Sequence, residues 1–209
     1  MKILALVGDH YHPAQVPVQG LEPLKAQFAL DIVEDGFAVD ATLLRRYDVV
    51  LLSKSDCRTT EDNTPWLTPE RQAALDAYVA NGGGLLAVHS GIAGYNDNEG
   101  MRTLLGALFA WHPAQLEVAL DPAQGHPLCQ GVAAFAGMDE HYFVNRSPEA
   151  VEVFLTSRSR HGSVPAGWTR RHGAGRVAVL TPGHNVEMWW DANFQQLLAN
   201  TLRWCGEKE

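Results

Sequence analysis

The stretch Asn81–Gly94, NGGGLLAVHSGIAG, decides the fold. Glycines open it, Gly84–Val88 is a continuous apolar run, and His89-Ser90-Gly91 follows at once, leading into a helix start. A short run with no polar alternation reads as a strand buried on both faces, the kind found in parallel sheets. A tight strand-to-helix turn after such a strand projects one side chain beside backbone N–H groups, as in a nucleophile elbow. Here that side chain is His89. The competing interpretation is a His that packs under a loop and bonds a carbonyl.

Working outward, Lys2–Val7, Ala29–Val33, Asp48–Leu52 and Arg176–Leu180 repeat the pattern of a buried strand. Thr68-Pro69-Glu70 opens a helix as cap, first-turn proline and dipole-complementing acid, with Ala74, Leu75, Tyr78 and Val79 as its apolar stripe. Leu104, Leu105 and Leu108 mark a helix after Asn98, and Asp191 caps a last helix carrying Phe194, Leu197, Leu198, Thr201, Leu202 and Cys205 on one face. Between residues 112 and 170 the strand candidates are Leu116–Leu120, Glu140–Val144 and Val151–Leu155, some of them antiparallel. Strands alternating with helices predict an α/β chain with a doubly wound, mostly parallel sheet and helices on both faces. No repeat or linker divides it, so residues 1–209 are expected to form one domain.

Composition narrows the function classes. The 209 residues are 46% hydrophobic and 19% charged, which is globular usage. A net charge of −8 argues against nucleic acid or an anionic membrane as partner, because both require clustered Lys and Arg. Cys57, Cys129 and Cys205 are odd in number and widely spaced, which fits a reducing cytoplasm. The apolar run after Met1 is too short for a signal segment or a membrane span. A homo-oligomer is compatible with all of this.

In open α/β sheets, ligands bind outside the carboxyl ends of the strands. There this chain places Asp9, His10 and His12, then Ser53–Cys57, then His89 and Ser90, then Gly183, His184 and Glu187. The pair His112-Pro113 and the dense run Asp139-Glu140-His141-Tyr142 add to these. If Glu140–Val144 is a strand, Glu140 and Tyr142 share a face and His141 points the other way. Ser90 lacks the flanking glycines of G-x-S-x-G. Cys57 is read as inert, Cys129 and Cys205 as packing residues, and His126, His161 and His172 as surface residues.

The segments GGGLLAVHSG, His112-Pro113 and Asp139-Glu140-x-Tyr142 together resemble the ThuA-like, trehalose-utilisation family. So does the block from Pro165-Ala166-Gly167-Trp168-Thr169 through Gly173-x-Gly175-Arg176-Val177 to Gly183-His184, as does the tail Phe194-x-x-Leu197-Leu198-x-Asn200-x-x-x-Trp204. The resemblance covers essentially the whole chain. It implies a flavodoxin-like, three-layer fold similar to class I glutamine amidotransferases. In that pattern His89 stands where the nucleophilic Cys would be, and His184 falls near the triad His. Glutamine hydrolysis is thereby out of reach, since no thiolate can form the acyl intermediate. The family is associated with trehalose and related sugars.

Two functions follow as expectations. The first is an enzyme acting on a sugar or keto-sugar by acid–base or metal-assisted chemistry, with His89, His184 and Glu140 as catalytic groups. His112, Tyr142, Ser90, His12 and Trp168 would contact substrate. His89, His112 and His184 would be ligands of a divalent metal such as zinc. The alternative is a non-catalytic sugar-binding or assembly module on an amidotransferase-like scaffold.

Overall fold

A computed structural model describes residues 1–146 and 151–208. In chain order the elements are β1 (Lys2–Val7), α1 (Gln15–Leu21), β2 (Ala29–Val33), α2 (Ala41–Leu44), β3 (Val49–Ser53), α3 (Pro69–Ala80), β4 (Gly84–Val88) and α4 (Glu99–Leu105). They continue as β5 (Ala107–Trp111), β6 (Leu116–Pro122), β7 (Phe135–Asp139), β8 (Phe143–Arg146), β9 (Glu152–Ser159), β10 (Gly162–His172), β11 (Gly175–Leu180), α5 (Val186–Trp190) and α6 (Ala192–Gly206).

Nine strands form one sheet in the order β2-β1-β3-β4-β11-β10-β9-β6-β7, and β5 pairs separately with β8. The first five are mutually parallel. From β11 onward every pairing is antiparallel, so only β10 and β6 run against the other seven. The apolar runs bury alternate residues on opposite faces, as the strand period requires. Ile3, Ala5 and Val7 pack in one core with Leu21, Phe194 and Leu198. Leu4 and Leu6 pack in the other with Leu75, Val79 and Leu104. The two expected caps are present, Thr68 accepting from the Arg71 N–H and Asp191 from Asn193 and Phe194, and Asn98 caps α4 by accepting from the Met101 N–H. Among the described residues no helix is long and apolar enough to cross a membrane.

Three expectations need correction. The helix after Asn98 stops at Leu105 because Gly106, with φ +82°, terminates it in the left-handed conformation, and Leu108 lies in β5. Glu140–Val144 is not one strand: β7 ends at Asp139, and β8 begins at Phe143. Gly162–His172, not among the expected strands, is the longest strand among the described residues, and its pairing with β9 is irregular around Pro165 and Gly167.

The antiparallel half coils back on the parallel half. In a flat sheet β7 and β11 would lie four strand spacings apart, about 19 Å. Instead the Asp139 carboxylate, at the end of β7, accepts the N–H groups of Gly183 (2.8 Å) and His184 (2.9 Å) just beyond β11. The accumulated twist of successive strands makes this closure geometrically available. It brings the segment 139–142 over the carboxyl ends of β1, β4 and β11.

Candidate functional site

The site starts at the turn after β4. His89 has φ +48° and is the only non-glycine residue with positive φ among the described residues. A left-handed conformation costs a side-chain-bearing residue roughly 1–2 kcal/mol, and such strain persists where the surroundings over-determine it. Here Gly91 allows the turn to press on β3, where an added Cβ would meet the Leu52 carbonyl oxygen at 2.0 Å. His89 Nδ1 donates to the Thr181 carbonyl (2.8 Å) and its ring stacks on Tyr142, leaving Nε2 for the site.

The loops after β1 and β3 are fixed together from beneath. Lys54 is fully buried, and its ammonium donates to the carbonyls of Gly8, Cys57 (2.7 Å) and Arg58 (3.0 Å). Burial holds the Lys54 pKa below its ordinary value, opposed by nearby negative charges led by Asp9. Asp9 is also fully buried and accepts from the N–H groups of Tyr11, His12 and Ser55, and from His12 Nδ1 at 2.8 Å. Burial pushes the Asp9 carboxyl up. The His12 hydrogen bond and charge and the backbone donors outweigh it, bringing the pKa to about 2.

Three imidazoles and one carboxylate converge. His89 Nε2 lies 3.3 Å from His184 Nδ1. Glu140 Oε2 lies 3.2 Å from His184 Nδ1 and 3.4 Å from His89 Nε2. His12 completes the group: one ligand atom from each of His12, His89, Glu140 and His184 falls within 4.8 Å of all the others. Burial pushes the Glu140 carboxyl up, but hydrogen bonding and charge from His184 and His89 dominate and lower it below the ordinary range. The hydrogen bond to Glu140 raises the His184 pKa against the opposing effect of burial. His12 moves the other way, mainly through burial.

Above this cluster is a cavity of about 500 Å³. It is lined by His12, Glu140, His184 and His112 together with Ser55, Asp56, Cys57 and Asn96, and Phe109, Tyr142 and Tyr11 add aromatic rings. A second hollow of about 600 Å³ sits at the amino ends of β3 and β4, bounded by Arg45, Tyr47, Asp48, Tyr78 and Lys208. No His lines it, and the convergent group is at the opposite sheet edge.

The expected residues divide clearly. His12, His89, Glu140, His184, Tyr142 and His112 come together. His112 stands at the rim: its Nδ1 donates to the Pro113 carbonyl (2.8 Å), and its Nε2 is 3.6 Å from Glu140 Oε1, so the convergent trio of imidazoles contains His12 in its place. Trp168 is not a cavity residue. It is 1% exposed, lies in the core on the interior strand β10, and donates its indole N–H to the Leu105 carbonyl. Ser90 is fully buried under the turn and is not among the cavity-lining residues; among the described residues its Oγ has no hydrogen-bond partner. Glu187 is exposed in the first turn of α5. Cys129 and Cys205 are buried, whereas the partly exposed Cys57 lines the cavity. His141 turns away from Glu140 and Tyr142 to bond Ser157 and Ser159. Sequence reasoning missed Phe109 and the supporting role of Asp139, for which the only signal was the adjacent Glu140.

A family model described as trehalose utilisation, ThuA, matches residues 4–205. No curated protein matches the chain. Among solved structures, a ThuA-like protein from Parabacteroides merdae is similar with TM-score 0.79 and 21% identity, covering 99% of this chain and 90% of that one. A ThuA-like protein from Bacteroides uniformis has TM-score 0.74 and 22% identity, covering 98% and 91%. A β-galactosidase from Rahnella sp. R3 is similar over 96% of this chain but only 31% of its own, with TM-score 0.66 and 16% identity. At these identities the likeness is one of fold.

Proposed function

This chain belongs to the ThuA family, the trehalose-utilisation proteins, and on that premise we propose that it acts in carbohydrate metabolism, on a sugar or keto-sugar held in the cavity beside Glu140. The observation carrying this reading is one carboxylate set against three imidazoles, His184 (3.2 Å), His89 (3.4 Å) and His112 (3.6 Å), beneath aromatic walls. Phe109 and the exposed Tyr11 suit the C–H face of a sugar ring, with Tyr142 packed behind against His89, while Ser55, Asp56 and Asn96 are placed to take hydroxyl groups.

Chemically, while no cation lies between them, the charge and hydrogen bond shared by Glu140 and His184 favour a carboxylate facing an imidazolium, an acid–base pair. The pair suits proton transfer at a carbon or hydroxyl next to a sugar carbonyl. The elbow offers no nucleophile for amide hydrolysis, because His89 occupies it and Ser90 is sealed beneath. The same proposal takes residues 1–209 as one flavodoxin-like, three-layer unit working in the cytoplasm. Its partner is a small molecule, not nucleic acid or membrane, and self-association is allowed.

The test is titration calorimetry with trehalose, glucose and their keto derivatives, followed by NMR of the mixtures. Binding with turnover that disappears in Glu140→Gln supports the proposal. Binding without turnover replaces it with a non-catalytic sugar-binding module. No binding to any of these sugars overturns it.

A further inference from the structure

We infer that His12, His89, Glu140 and His184 form a binding site for one divalent transition-metal ion, of the kind zinc represents. A four-coordinate ion with bonds of about 2.0–2.1 Å to nitrogen and oxygen sets its ligand atoms about 3.3 Å apart, the edge of a tetrahedron of that size. Three edges of such a figure are already present: His184 Nδ1 to Glu140 Oε2 at 3.2 Å, His89 Nε2 to His184 Nδ1 at 3.3 Å, and His89 Nε2 to Glu140 Oε2 at 3.4 Å. His12 supplies the fourth corner within 4.8 Å.

The outer contacts fix which nitrogens are offered. Asp9 holds Nδ1–H of His12 and the Thr181 carbonyl holds Nδ1–H of His89, so the lone pair of each neutral ring sits on Nε2. A carboxylate or carbonyl on the distal N–H is the usual support of a metal-bound imidazole. His184 is held through its backbone, whose N–H donates to Asp139. Lone pairs and a carboxylate gathered around one point repel each other unless a cation or added protons lie between them. Imidazole and carboxylate together suit zinc and its first-row neighbours.

Three of the four groups, His12, Glu140 and His184, face the cavity. The ion would therefore meet whatever occupies it, and zinc accepts a fifth ligand. Resting on the sugar reading of the cavity, this narrows the substrate to one presenting a carbonyl or adjacent hydroxyl oxygens to the metal, where it would polarise a carbonyl as a Lewis acid.

The experiment uses the full chain, stripped with chelator and titrated with zinc against a competing dye, and with cobalt for its ligand-field absorption. One ion per chain is expected, with a cobalt spectrum of four- or five-coordinate type. His12→Ala and His184→Ala should each weaken zinc binding by about tenfold or more, with metal-free melts close to that of the metal-free parent. His112→Ala should leave the affinity unchanged. No stoichiometric binding to folded parent protein overturns the site, and so does a loss in His112→Ala equal to that in His12→Ala. Sugar titrations on the stripped chain separate the two readings. Sugar binding by a chain that takes up no zinc leaves the cavity proposal standing alone, and zinc uptake by a chain that binds no sugar leaves the metal site standing alone.

Discussion

His12 Nδ1 lies 2.8 Å from Oδ1 of the fully buried Asp9, and that carboxylate also accepts three backbone N–H groups. One acid thus shapes the loop after β1, joins it to the loop after β3 and orients an imidazole. Replacing Asp9 with Asn removes the negative charge that favours the His12 N–H in this orientation. Zinc affinity should fall about 10- to 100-fold, the usual cost of losing an outer partner. Dye competition on the variant measures it.

His89 yields an inverted stability order. Ordinarily Ala is preferred to Gly, because Gly has more freedom to lose on folding. At φ +48° the preference reverses. His89→Gly should be more stable than His89→Ala by about 1 kcal/mol, while both lose metal and sugar binding. Urea titrations of the two variants decide this, and equal stability would show that the turn relaxes.

Gly91→Ala should be among the most damaging single changes in the chain. The new Cβ would meet the Leu52 carbonyl at 2.0 Å, and Leu52 is a fully buried β3 residue that cannot retreat. A loss of about 3 kcal/mol, the upper part of the overpacking range, is expected in denaturant. Gly82, whose Cβ would meet nothing within 4 Å, has φ +100°, so Gly82→Ala carries only conformational strain and should cost less than Gly91→Ala.

Trp168→Ala should cost about 3–5 kcal/mol, as for a large aromatic removed from a core. The fraction that remains folded should bind zinc and sugar like the parent. A variant of ordinary stability that fails to bind would return Trp168 to the cavity.

Zinc should raise the melting temperature of the parent, with about 2.7 kcal/mol of added stability at a hundredfold excess over Kd. Protons compete with the ion for the same imidazole nitrogens, so this increment shrinks as pH falls and recovers as it rises. Scanning calorimetry with zinc and with chelator at several pH values gives the difference directly.

Much of the parallel half was legible because its signals are local. KILALV, DVVLL, GLLAV and RVAVL are apolar runs bounded by turn residues, and Thr68 and Asp191 announce their helices through side-chain caps. The strand Gly162–His172 was hidden because Pro165, two glycines and paired arginines break the alternation that marks a strand, and Pro165 and Gly167 also accompany its irregular pairing. The site was legible in part: strand ends pointed to His89 and His184, and the family-like run pointed to Glu140. What the chain does not reveal locally is the choice between His12 and His112. It rests on a turn of Asp9 that aims one ring inward and on a Pro113 carbonyl that keeps the other at the rim.

The closure of β7 onto the end of β11 gives the protein a built-in reporter. The amide hydrogens of Gly183 and His184 are held by Asp139, whose neighbour Glu140 supplies the carboxylate of the site. Any fluctuation that swings the antiparallel half away must free both amides and dismantle the imidazole–carboxylate group in the same event. Their exchange with heavy water should therefore occur at one common rate. Zinc should slow that rate for both amides by the same factor.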